Sequence, residues 1–303
     1  MTYIVLNQVL AIFLLAAFGF VLKKINLLND GFTKSSSDLI VYVTLPAMII
    51  SSMDREFSKD VATTSLQVFL TGAIMYGFTI LLAFVLVWFR KFEETQRGVY
   101  MYMVIFGNVG YLGYPIMNVL YGEMGVFYSA VFNIWFNVLT WTIGVSIMSR
   151  GTLNLRRIVI NPGLLSTLFG LFIFLTPLRL PTLLKSVLDS VGSMTTPLAM
   201  FLVGAFLAEA RMKDFVAEMD LYLASILKLV VAPALVYLVM SYTDLPTIVK
   251  VLPVVMAGMP SGVNTAIFAR MFDRDYKLAA QGVVLSTALS MISLPVLILM
   301  VVR

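Results

Sequence analysis

The sequence predicts an all-α membrane protein of ten transmembrane helices in two inverted five-helix repeats, with broken helices crossing at spans four and nine. Three observations carry that expectation. The composition is strongly apolar, the apolar residues fall in long runs with little between them, and matched Pro/Gly/Asn interruptions recur in the two halves.

Apolar residues occupy 60% of the 303 positions and charged residues only 12%, and the mean hydropathy is +0.96. A soluble domain carries about 25% charged residues because its surface must face water. This chain has too few charges to coat a soluble particle, whereas its apolar runs suit the roughly 30 Å hydrocarbon core of a bilayer. The chain contains no Cys and no His. Thiolate and imidazole metal sites, disulfides and Ser/His or Cys/His catalysis are therefore excluded, and neither a cofactor nor enzymatic activity is expected. The net charge of +5 is spread over short loops and makes no nucleic-acid footprint. The first basic residue, Lys23, follows the first apolar run, so Tyr3 to Leu22 reads as a retained span and not a cleaved signal.

Charged residues and Pro/Gly punctuation divide the chain into runs at 3–22, 36–53, 61–89, 98–120, 124–148, 158–177, 183–208, 219–241, 246–269 and 278–301. No intervening loop is long enough for a soluble domain. Lys and Arg concentrate in the odd-numbered loops: Lys23, Lys24, Lys34; Arg90, Lys91, Arg97; Arg150, Arg156, Arg157; Arg211, Lys213; Arg270, Arg274, Lys277. Cytoplasmic loops accumulate such residues. This places the odd loops in the cytoplasm and both termini outside, in a multi-pass membrane protein.

Span two carries Thr44-Leu45-Pro46-Ala47-Met48 and span seven Thr196-Pro197-Leu198-Ala199-Met200. Asp38 and Asp189 precede the two prolines at the same distance, and Pro115 in span four matches Pro260 in span nine at nearly the same separation. Repetition at one offset predicts a duplication. Residues 1–148 form one repeat, 149–157 a cytoplasmic linker and 158–303 a second repeat. Five spans per half invert the second repeat, an arrangement recurrent in transporters.

Span four reads Gly107-Asn108-Val109-Gly110-Tyr111-Leu112-Gly113-Tyr114-Pro115 and span nine Gly258-Met259-Pro260-Ser261-Gly262-Val263-Asn264. Gly weakens a helix, and Pro removes a donor while favouring the first position of a new one. Each span is expected to break, with Pro115 and Pro260 opening the second halves. Irregular backbone at membrane depth is tolerated only inside protein or along an aqueous cavity. Two half-helix N-termini meeting there make a site for negative charge. The candidate substrate-binding residues are Asn108, Gly110, Gly113, Pro115, Pro260, Ser261, Gly262 and Asn264. The glycine spacing is not G-x-G-x-x-G and no strand precedes it, so a nucleotide fingerprint is rejected.

Further polar residues lie within the runs. Asn133 and Asn137 share a face of span five with Ser129 and Thr140 and join the candidate site. Lys228 falls within span eight, where a charge costs at least ~2.5–3.5 kcal/mol. It reads either as a counter-charge, for a substrate carboxylate or a buried partner, or as a side chain snorkelling to a boundary. Gln67 on span three could assist. Asp38, Asp189 and Glu209 lie near predicted helix ends and read as wetted or capping.

The segments Asn108-Val-Gly-Tyr-Leu-Gly-Tyr-Pro115 and Met259-Pro-Ser-Gly-Val-Asn264 resemble the two crossover motifs of the auxin efflux carrier family. Leu45-Pro46, Lys228-Leu-Val-Val-Ala-Pro233 and Leu285-Ser-Thr-Ala-Leu-Ser290 also fit, so the resemblance covers essentially the whole chain. It implies a scaffold of spans 1, 2, 6 and 7, a mobile unit of spans 3–5 and 8–10, and a homodimer. The plant exporters of that family have a long central loop; only Met148 to Arg157 joins the halves here, which favours a bacterial-type member carrying malate or malonate. The expected function is alternating-access transport of a small organic anion, a mono- or dicarboxylate or auxin-like acid. A ligand-binding sensor or channel, or a sodium-coupled symporter of the bile-acid type, is the alternative.

Overall fold

The computed structural model describes residues 2–149, 161–209 and 219–302. The linker at 149–157 and the basic residues Arg150, Arg156, Arg157, Arg211 and Lys213 lie almost wholly outside them, as does Arg303. Among the described residues the regular elements are all helical. In chain order they are α1 (Thr2–Lys24), α2 (Asp30–Leu39), α3 (Leu45–Met53), α4 (Lys59–Phe89), α5 (Glu94–Ile105), α6 (Tyr114–Leu139), α7 (Val145–Ser149) and α8 (Pro162–Leu175). There follow α9 (Thr182–Ser193), α10 (Thr195–Glu209), α11 (Met219–Ile226), α12 (Ala232–Ser241), α13 (Thr247–Ala257), α14 (Asn264–Met271) and α15 (Tyr276–Val301).

Among the described residues six continuous stretches are long and apolar enough to cross a membrane: Gly31–Met53, Lys59–Phe89, Val109–Ser149, Thr182–Ala208, Met219–Ser241 and Tyr276–Val301. Pro162–Leu175 and Thr247–Ala257 are shorter apolar helices. Interruptions divide some of the apolar runs and merge others. The run at 98–120 splits after Ile105 and that at 246–269 after Ala257, while Val109–Ser149 joins the end of the fourth run to the fifth. Inside that stretch Gly122 has φ 60° and ψ −146°, a combination essentially confined to glycine, so α6 is two helices meeting at a corner.

Prolines shape the backbone differently from the sequence expectation. Single π-helical turns, Ile40–Thr44, Val109–Gly113 and Leu227–Val231, end two residues ahead of Pro46, Pro115 and Pro233. A proline ring crowds the carbonyl four residues back, and widening the preceding turn relieves that clash. Pro115 therefore sits in a helix already under way and does not open it. Polar caps do the opening: Asn29 accepts from the Phe32 N–H at 2.8 Å, Asn161 from Leu164 at 3.0 Å and Asp275 from Leu278 at 2.9 Å.

Burial follows the same logic. Every residue from Gly98 to Val109 and from Val251 to Gly262 is buried, so the first halves of both broken helices, apolar all round, form the centre. Around it α1 packs against α10 through Gly204, where a β-carbon would lie 1.9 Å from the Ala16 carbonyl oxygen. Large apolar side chains such as Leu14, Leu66, Trp88 and Leu183 face outwards, a surface suited to hydrocarbon and not to water.

Candidate functional site

The two interruptions cross. Phe106, Gly107 and Asn108 run extended past Pro260, Ser261 and Gly262, with Gly107 and Ser261 paired in antiparallel fashion. The Asn108 N–H donates to the Pro260 carbonyl at 2.7 Å, and the Gly262 N–H to the Phe106 carbonyl at 3.0 Å. Backbone that has left both helices is thus satisfied by the other break, which lets a strand-like segment sit among buried residues. Pro260 lies in this extended segment, four residues ahead of α14, so it too does not open a half-helix.

Asn108 begins the second half of the first broken helix. Its Oδ1 accepts from the Tyr111 N–H at 3.2 Å, and its carbonyl accepts from Leu112 and Gly113. Val109 and Gly110 follow and line a cavity of about 700 Å³; Val263 and Asn264, at the start of α14, line the same cavity. N–H groups in the first turn of a helix lack intrahelical partners and carry partial positive charge. The two half-helix starts therefore turn toward one volume.

Of the candidate substrate-binding residues, Asn108, Gly110, Asn133, Asn137, Gly262 and Asn264 line this cavity. Asn108, Asn133 and Asn137 are buried. Gly113 instead packs toward Met256 Sδ. Pro115 is buried outside the cavity wall. Ser261 is structural: its hydroxyl donates to the Met103 carbonyl at 3.1 Å, and its N–H donates to Ser286 Oγ at 3.1 Å. Gln67 does not line the cavity, and its buried Oε1 has no hydrogen-bond partner.

Lys228 neither snorkels nor enters the cavity. It is 1% exposed, and its Nζ donates to the Ile105 carbonyl at 3.3 Å, at the end of α5. That carbonyl end carries partial negative charge, which suits an ammonium.

Other lining residues escaped sequence reasoning. Asp38 caps nothing; it lines the cavity beside Ser37, whose Oγ lies 2.6 Å from the Tyr111 hydroxyl. Asp189, on α9, instead accepts a hydrogen bond from Ser51 Oγ. The side chain of Glu209 lies outside the described residues. Asn161 reaches the cavity as the cap of α8, a role its place before Pro162 could have signalled. Tyr111, Tyr114, Phe136, Trp141 and Phe268 add an aromatic wall. Among the described residues lining the cavity, Asp38 is the one charged side chain.

The model of the family described as membrane transport protein matches residues 4–154 and 151–298. The chain belongs to that family, the family of the auxin efflux carriers. Within it, an uncharacterized transporter of Methanocaldococcus jannaschii is 22% identical over 95% of this chain and 96% of its own length. An uncharacterized transporter of Methanothermobacter thermautotrophicus is 26% identical over the same shares, 95% and 96%. A protein of Rhizobium meliloti named "Putative malonate transporter" is 24% identical over 83% of this chain and 81% of its own. The membership makes this chain a membrane transport protein; its relatives are named as transporters and not as enzymes.

Proposed function

We propose that this chain is a secondary carrier of a small organic anion, a mono- or dicarboxylate or auxin-like acid, working by alternating access. The observation that carries the reading is the convergence of two half-helix starts, with Asn108 and Asn264, on one cavity at a crossing of broken helices. Donors fixed in advance within a low-dielectric wall suit a carboxylate. The relative described as a malonate transporter is consistent with that chemistry.

The proposal includes ten membrane crossings in two inverted repeats, 1–148 and 158–303, with the odd loops in the cytoplasm and both termini outside. The lining residues nearest loops, Asp38, Asn161 and Met271, all adjoin odd-numbered loops, so on this topology the cavity opens inward. The opposite end is closed. Phe127 of span five packs on Phe174 of span six with ring centroids 5.2 Å apart, and Arg55 after span two pairs with Glu123 before span five at 3.1 Å. These contacts are those of an inward-facing carrier.

Flux through proteoliposomes tests the proposal. Purified protein should move a radiolabelled carboxylate from a panel of malonate, malate and indole-3-acetate, and Asn264→Ala should reduce the rate at least tenfold. Binding without flux would identify a sensor, and flux without saturation a channel.

A further inference from the structure

We infer that Lys228 supplies the positive charge for the transported anion without touching it, acting through the backbone of Gly107. The inference rests on the carrier reading and concerns its charge selectivity.

Gly107 lines the cavity on one side and meets Lys228 on the other. A β-carbon built on Gly107 would lie 3.3 Å from both Cε and Nζ of Lys228, and 3.0 Å from Met259 Cβ. The absence of that carbon lets the ammonium come within one residue's thickness of the cavity. The position is held by the Ile105 carbonyl, and among the described residues no carboxylate forms an ion pair with Lys228. The lining itself offers amides, hydroxyls, rings and, at its edge in α2, the Asp38 carboxylate, but among the described residues neither Lys nor Arg, so positive charge for an anion has to come from behind the wall.

A buried ammonium with no ionic partner projects its field into its surroundings, and the field is weakly screened where water is excluded. The cavity is the open volume on the far side of Gly107. An anion bound there is attracted in proportion to its charge, while the neutral amides set its orientation. Keeping the cation behind the wall also avoids a tight contact ion pair, which would slow release. Lys228 is in this sense a specificity-determining residue for charge, and its effect must scale with the charge of the ligand.

The experiment measures binding of graded ligands to the purified full-length protein: malonate, its half-amide and its diamide, with malate and indole-3-acetate and their amides as further probes. Wild type should prefer each acid to its amide. Lys228→Met should weaken malonate at least tenfold, the half-amide less, and the diamide by less than twofold, and Lys228→Arg should keep the order of preference. Gly107→Ala retains the lysine but inserts a methyl against it, and should also lower the preference for acid over amide. Equal losses for malonate and diamide, or an unchanged malonate affinity in Lys228→Met and Gly107→Ala, would overturn the inference and leave the carrier reading standing. Wild type that binds none of the acids would overturn the carrier reading, and the inference with it.

Discussion

Arg55 and Glu123 face one another at 3.1 Å, tying the turn after α3 to the Gly122 corner within α6. The Arg55 Nε also donates to the Ser52 carbonyl at 2.8 Å, and its guanidinium lies over the Phe127 ring. Phe127 packs on Phe174 with centroids 5.2 Å apart, and Phe57 packs on Phe174 at 5.5 Å. On the proposed division into scaffold and mobile unit, the contacts of Arg55 with Glu123 and Phe127, and of Phe127 with Phe174, join the two at the end remote from the cavity. The ion pair is exposed and worth about 0–1 kcal/mol, weak enough to be broken in each cycle.

Closure at this end predicts that locking it stops transport. The chain contains no Cys, so a Phe127→Cys, Phe174→Cys pair can be joined by a short bifunctional thiosulfonate without side reactions. Joined protein should lose flux and regain it on reduction. Undiminished flux through the joined protein would rule out a gate at these residues.

Sidedness of the cavity can be read directly. Ile267 is half exposed and lines the cavity, so Ile267→Cys should react with a membrane-impermeant thiol reagent from the cytoplasmic face of inside-out vesicles. Reaction from the outside alone would reverse the proposed topology.

Asn108 has two roles that substitution separates. Asp caps a helix about as well as Asn, whereas Ala loses roughly 1 kcal/mol at such a position. Asn108→Ala should lower both melting temperature and affinity for the anion. Asn108→Asp should keep the melting temperature and lose affinity more than tenfold, because it adds negative charge to the cavity. Equal affinity for Asn108→Asp and wild type would remove the anion from this position.

Ser261 should behave oppositely. Its hydroxyl serves the Met103 carbonyl, and a buried hydrogen bond contributes about 1 kcal/mol. Ser261→Ala is expected to lower thermal stability while leaving substrate affinity within twofold. A selective loss of affinity would return Ser261 to the binding site.

The breaks in spans four and nine were legible because Gly, Pro and Asn at membrane depth are costly without a use. Asn133 and Asn137 were legible from their i, i+4 spacing alone. Proline is an ambiguous signal for a helix start: it suits a first turn, but here Asn108 caps the half-helix ahead of Pro115 and a widened turn absorbs the ring. Asp38, Ser37, Trp141 and Asn161 were not legible as lining, because each reaches the cavity from another element and its place depends on how that element packs. Lys228 stands out as a charge in an apolar run, but its close approach to Gly107 depends on how span eight packs against the crossing.

Because the two breaks are paired through main-chain hydrogen bonds, with the Ser261 hydroxyl adding a side-chain bond to Met103, replacement of the other surrounding side chains leaves the main-chain pairing in place. The chamber wall of this chain can therefore be altered residue by residue without loosening that pairing. New cargo preferences should arise by exchange of residues in the chamber wall, with Asn108 N–H to Pro260 and Gly262 N–H to Phe106 preserved throughout.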